Sequence, residues 1–109
     1  MIVDLRIYTT APGKLAEFVS LYETMAWPLQ LKYLENCLGW YTTVEGELNT
    51  VVHLWGYADL ADRDRRRTAM AADPAWGAYL KEGAARGLLV KQENRFVRPT
   101  GFYSKFKAG

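Results

Sequence analysis

The stretch CLGWYTTVEGELNTVVHLWGY, residues 37–57, decides the fold. Two runs, 37–45 and 48–57, are rich in residues that suit a pleated surface: Trp40, Tyr41, Val44, Val51, Val52, Leu54, Trp55 and Tyr57. The link Glu45-Gly46-Glu47 supplies a glycine for the positive φ of a tight hairpin. The expectation is a strand from Cys37 to Glu45, a short turn, and a strand from Leu48 to Tyr57.

Upstream, residues 2–9 alternate: Val3, Leu5 and Ile7 on one face, Asp4, Arg6 and Tyr8 on the other. That period of two predicts a first strand. Pro12 then stands where a first helical turn tolerates it. Leu15, Phe18, Val19, Tyr22, Met25, Ala26 and Leu29 follow at helical spacing, predicting a long helix out to Leu34. Pro28 removes a donor and crowds the preceding turn, so a kink or break is expected near Trp27.

Downstream, Asp59-Leu60-Ala61-Asp62 is a helix cap signal. The short helix it opens carries Leu60, Arg63, Arg67 and Met70 on adjoining turns. Asp73-Pro74 starts a second short helix, with an apolar stripe of Trp76, Tyr79 and Leu80, closed by Gly83 and Gly87. Residues 88–98 form a fourth strand, with Glu93 and Arg95 on one face. Residues 99–109 are a tail whose aromatics, Phe102, Tyr103 and Phe106, suggest that it docks. The order β-α-β-β-α-β is that of a ferredoxin-like α+β fold: a four-stranded antiparallel sheet, with the second helix split. The 109 residues make one domain.

Composition narrows the function. Half the residues are hydrophobic and the net charge is +2. The arginine run Arg63, Arg65, Arg66 and Arg67 is interleaved with Asp59, Asp62 and Asp64, unlike the unopposed charge of a nucleic-acid face, so no nucleic-acid partner is expected. That helix could clamp an anion or simply be a solvated face. Cys37 is the sole cysteine, which excludes an intrachain disulfide and a multi-cysteine zinc site. No apolar run approaches the ~20 residues of a membrane span, and the N-terminus has no signal-peptide pattern, so a cytoplasmic protein is expected.

His53 is the only histidine and lies mid-strand between Val52 and Leu54. It suits a general base or an axial haem ligand; equally, it suits a buried histidine satisfied by a neighbour. If the first and third strands are central neighbours with their polar faces coincident, Arg6, Tyr8 and His53 converge, with Trp55 as an apolar wall. The candidate catalytic residues are therefore His53, Arg6 and Tyr8, and the candidate substrate-binding residues Trp55, Trp76, Tyr41 and Arg95. Glu93 and Arg95 either extend the cluster or pair with Arg6 and Asp4. No GxGxxG, P-loop or GxSxG motif occurs.

Several stretches resemble NIPSNAP domains. They are Leu5-Arg6-Ile7-Tyr8 with Pro12-Gly13-Lys14-Leu15; Leu38-Gly39-Trp40-Tyr41; Gly46-Glu47-Leu48-Asn49; Val52-His53-Leu54-Trp55; Asp59-Leu60-Ala61-Asp62-Arg63; and Asp73-Pro74-Ala75-Trp76. The resemblance implies a homodimeric α+β barrel, an architecture shared with antibiotic-biosynthesis and haem-degrading monooxygenases, muconolactone isomerases and polyketide cyclases. It implies no settled reaction. Position 4 is Asp where the resemblance leads one to expect the longer Glu, which counts against a role that depends on carboxylate reach. Two functions are then open. One is an enzyme or accessory enzyme on an aromatic or polyketide-like molecule, working without a cofactor or with haem. In it His53 is the base and Arg6 and Tyr8 stabilise an enolate. The other is a non-catalytic dimeric ligand-binding or interaction domain.

Overall fold

The computed structural model describes residues 1–108, with side chains described for residues 1–105. Four strands, β1 (Ile2–Thr10), β2 (Cys37–Thr42), β3 (Thr50–Tyr57) and β4 (Leu89–Val97), form one antiparallel sheet in the order β2-β3-β1-β4. Helices α1 (Leu15–Leu21), α2 (Trp27–Tyr33), α3 (Leu60–Ala71) and α4 (Pro74–Arg86) supply the second layer, and α5 (Gly101–Ala108) follows β4. This is the expected α+β, ferredoxin-like arrangement, with β1 and β3 at the centre.

Register settles which face meets the helices. Asp4 lies opposite Trp55, Arg6 opposite His53 and Tyr8 opposite Val51. Side chains alternate across a strand, so these six share one face. Val51, His53, Trp55 and Tyr57 are buried, packing with Phe18, Tyr22, Leu34, Met70 and Tyr79 from the helix layer. The polar face of β1 therefore points into the protein. Leu5, Ile7, Val52 and Leu54 point the other way and are half-buried.

Three local expectations change. The link between β2 and β3 is not a tight turn but a connection over residues 43–49. Val44 and Leu48 are exposed there and have nothing to pack on, while Gly46 and Asn49 leave the extended region with φ of 101° and 68°. The connection is closed by Thr43 N–H donating to Thr50 O at 3.1 Å. Next, α4 runs through Gly83 and ends only at Gly87, whose φ of 62° suits a residue without Cβ. Finally, residues 101–108 are helical, not an irregular tail. Phe102 and Tyr103 are exposed, and the Phe106 side chain lies outside the described ones.

The proline in the long helix has a specific consequence. Between α1 and α2 the chain makes a π-helical turn, Tyr22–Ala26, in which Trp27 N–H donates to Tyr22 O five residues back. α2 then restarts with Pro28 in its first turn, where no N–H is needed. The kink or break expected near Trp27 thus takes the form of one widened turn, after which the α-helix restarts. The extra residue shifts the helical phase by about 100°. Tyr22 and Gln30, eight apart, consequently lie on one face as residues seven apart do in an α-helix, and the Tyr22 hydroxyl donates to Gln30 Oε1.

One carboxylate ties the layers together. Asp4 is fully buried. Its Oδ2 accepts from Arg6 at 3.0 Å and from Arg63 of α3 at 3.2 Å, and its Oδ1 accepts from Asn94 of β4 at 2.9 Å. Burial alone would raise the carboxyl pKa. The Asn94 hydrogen bond and the two guanidinium groups outweigh it and hold the value below the usual carboxylate range. Asp4→Ala leaves Arg6 beneath the helices without its counterion and Arg63 with only the exposed Asp64, at 3.6 Å, and should cost about 3 kcal/mol in urea unfolding. A loss below about 0.5 kcal/mol would show that the carboxylate does not hold the layers.

Candidate functional site

A cavity of about 590 Å³ opens between the helix-facing side of β1 and β4 and the helices above it. That volume lies in the range of small-molecule sites. Arg6, Tyr8 and Gln92 line it from the sheet; Phe18, Leu21, Tyr22 and Gln30 from the first helical segment; Arg67 from α3; and Trp76 and Tyr79 from α4. Most of the wall is apolar, as burial of these helices against the sheet requires, and a few polar groups interrupt it.

The charges on those groups do not balance. Arg6 donates from Nε to the Tyr8 hydroxyl at 2.8 Å as well as to Asp4. Because Tyr8 accepts there, its own O–H proton is left to donate elsewhere. Arg63 is held by Asp4. Arg67 is half-buried and, among the described residues, forms no ion pair. Burial first, then Arg6 beside it, lower its pKa, partly offset by Tyr57 and Tyr8. A guanidinium does not lose its proton in proteins, so its charge is met by neighbouring oxygens, by water or by an anion.

His53 stands one layer behind this wall. It is fully buried and does not line the cavity. Its Nδ1 accepts from Trp55 Nε1 at 2.8 Å, so in the neutral ring the proton sits on Nε2, which has no partner among the described residues. The ring stacks on Trp40 at 5.2 Å and meets the edge of Tyr8 at 4.8 Å. Burial, with Arg6 and Arg67 adding to it, lowers the His53 pKa to about 3. The ring is neutral at pH 7 and its free lone pair is already engaged. This corrects the expectation of His53 as a base in a pocket with Arg6: it touches Tyr8 from behind and reaches no ligand. The same geometry does not fit axial ligation of a haem in the cavity.

The remaining candidates divide by face. Trp76 lines the cavity. Trp55 is fully buried behind it, against Trp27 at 6.0 Å. Tyr41 pairs with Val52 and Arg95 with Leu5, so both stand on the opposite face of the sheet, and neither belongs to this site. Glu93, opposite Ile7, is with them, so neither it nor Arg95 can pair with Asp4 or Arg6. Tyr22, Gln30, Arg67 and Tyr79 were not anticipated as site residues. For Arg67 a signal existed: with Arg63 it shares the helix face of Leu60 and Met70, the face a buried helix turns inward. Arg65 and Arg66 turn outward to Asp62, at 3.4 and 2.9 Å. Among the described residues no group of three or more His, Cys, Asp or Glu could hold a metal ion, and no helix is long and apolar enough to cross a membrane.

The depressed His53 value predicts a pH dependence. The unfolded ring takes up a proton near its ordinary 6.5, the folded one only near 3. The stability tied to a neutral His53 is therefore complete above 6.5 and is lost as the pH falls towards 3, by about 2 kcal/mol between pH 7 and 5. Asp4, Asp62 and Asp73, with values lowered from 3.8, act below this window. In chemical unfolding at pH 7 and 5, His53→Gln should remove most of the difference; an unchanged difference would place its origin elsewhere.

Comparison with known proteins agrees on one family. A family model described as NIPSNAP matches residues 3–104. The NipSnap homolog of Dictyostelium discoideum is 34% identical over 96 residues, 88% of this chain and 41% of that protein. NipSnap homolog 3A of Homo sapiens is 34% identical over 67% of this chain and 29% of its own length. The chain thus spans less than half the length of these curated relatives. Among solved structures, a NIPSNAP-like domain protein from Burkholderia xenovorans is 40% identical, with a TM-score of 0.86 over 93% of this chain and 86% of that one. A NIPSNAP family protein from Agrobacterium tumefaciens is 38% identical, with a TM-score of 0.87 over 93% and 94%. An antibiotic biosynthesis monooxygenase is 14% identical with a TM-score of 0.61, over 92% of this chain and 99% of that one, a likeness of fold alone. Matched from β1 to beyond β4 by the family model and by these relatives, the chain belongs to the NIPSNAP family.

Proposed function

We propose that this protein binds a small organic anion with an apolar body in the cavity between sheet and helices. The observation that carries this is Arg67: a half-buried guanidinium on an apolar-walled cavity, with no ion pair among the described residues. Asp4 is the carboxylate of the buried cluster and already holds Arg6 and Arg63, which leaves the cluster of Arg6, Arg63 and Arg67 positive. A carboxylate or enolate matches the planar fork of a guanidinium, and Trp76, Tyr79 and Phe18 suit an aromatic or polyketide-like body. Any proton transfer at this site runs through Tyr8, whose oxygen Arg6 holds and whose proton is free to meet a developing oxyanion. His53 supports the Tyr8 ring and exchanges no proton. In this reading the protein is an enzyme or accessory enzyme that uses Arg6 and Tyr8 electrostatically, without haem ligation by His53.

Calorimetry with 4-phenylbutyrate and its neutral amide tests the anion site. The acid should bind and the amide should bind at least tenfold more weakly. Arg67→Gln should weaken the acid by about tenfold or more, the scale of a charged hydrogen bond. Equal binding of acid and amide, or indifference to Arg67→Gln, would refute it.

The same reading includes a homodimer. The helices cover one face of the sheet. On the other, Leu5, Ile7, Val52 and Leu54 lie half-buried beside the exposed Leu38 and Tyr41. A second copy placing the same face against it satisfies both with one self-complementary contact. Sedimentation equilibrium should give twice the chain mass, and Leu54→Lys should return it to the monomer. A wild-type monomer at micromolar concentration would count decisively against the pairing.

A further inference from the structure

We infer that the ligand carries, besides its anionic group, a neutral hydrogen-bond-accepting oxygen that Gln30 receives, so that the site selects oxo acids over plain acids. This rests on the anion-site reading and deepens it. Gln30 is only 3% exposed, yet it is one of the residues lining the cavity. A buried amide offers one acceptor oxygen and two donor hydrogens, and each left unmet is costly. Its Oε1 is taken by the Tyr22 hydroxyl. Its Nε2 has no acceptor among the described residues, and it is not one of the polar atoms closed off inside the protein.

The orientation of the amide follows from its neighbours. Burial raises the Tyr22 pKa, so the phenol keeps its proton, and the Trp40 ring, whose nitrogen is a donor only, packs against it at 4.6 Å between centroids. That proton goes to Gln30 Oε1. The Gln30 oxygen is thereby committed and its NH₂ group is left for the cavity. The π-helical turn helps bring this about: in a regular α-helix Gln30 would lie about 80° round the axis from Tyr22. A carboxylate or enolate on Arg67 and a carbonyl on Gln30 together describe an apolar-bodied oxo acid.

Isothermal titration of the wild-type protein with 4-phenylbutyrate and its 2-oxo and 4-oxo derivatives tests this. All three carry the same single negative charge and nearly the same body. At least one oxo acid should bind about tenfold more tightly than the plain acid, the scale of one buried neutral hydrogen bond. Gln30→Met should abolish that preference, read as the ratio of oxo-acid to plain-acid affinity. If Gln30→Met does not fold, the paired change Tyr22→Phe with Gln30→Leu removes the donor together with the phenol that needed its oxygen, and the ratio should again fall to about one. Equal binding of the three acids to wild type, or a preference that survives at position 30, overturns the inference and leaves the anion site standing. Failure of every acid to bind overturns both.

Discussion

The Asp4 carboxylate is the interaction on which the rest of this structure depends. It is fully buried and receives hydrogen bonds from three strands or helices: Arg6 of its own strand, Asn94 of β4 and Arg63 of α3. A lone buried carboxylate would be untenable, and so would two lone guanidinium groups beneath a helix layer. Each makes the other possible. A central strand, an edge strand and the covering helix are held at one point, and that point lies beside the cavity. The shorter side chain at position 4 does not weaken this role, because the partners come to it.

The site inherits its character from what Asp4 leaves undone. One carboxylate holds Arg6 and Arg63, and the remaining guanidinium, Arg67, shares the cavity with Arg6 and Tyr8. Around it the sheet and helices contribute a shell of rings: Tyr8 against Phe18 and His53, Tyr22 against Trp40, Trp76 against Tyr79. Such a shell is apolar and close-packed. It makes an unmatched charge expensive and holds Tyr8 and Arg6 in place. It also explains why the histidine is unsuited to proton transfer. A ring packed among Trp40, Tyr8, Tyr22 and Trp55 has no water to stabilise its charged form.

A second constraint comes from Pro28. Its missing N–H and its ring cannot be accommodated by an unbroken α-helix, and the chain answers with a π-helical turn before it. The cost of one wide turn is local. Its effect is a phase shift that turns Gln30 inward and leaves Leu29 half-buried. A polar side chain thereby enters the core and meets Tyr22, and a backbone adjustment becomes a feature of the cavity wall.

The element order, the strand identities and the pairing of β1 with both β3 and β4 were legible in the sequence, because period-two alternation and cap residues are local consequences of backbone geometry. The coincidence of the Arg6 and His53 faces was a condition rather than a consequence of that order, because a register slip of one residue would have put them on opposite sides. Boundaries moved where local signals were weak: Val44 and Leu48 look like strand residues but find no surface to pack on, and Gly83 lies in a helix whose true end is the left-handed Gly87. The site was legible only in part. Arg6, Tyr8 and Trp76 line the cavity, whereas Tyr41 and Arg95 were assigned without knowing that register puts them across the sheet. His53 and Trp55 lie on the right face but one layer too deep. Depth, phase and face depend on contacts between residues far apart in the chain: Asp4 with Arg63, Asp4 with Asn94, Tyr22 with Tyr79. A periodic pattern states which residues can share a side. Only the packing of one layer on another decides which of them is covered, which is charged and which faces a ligand.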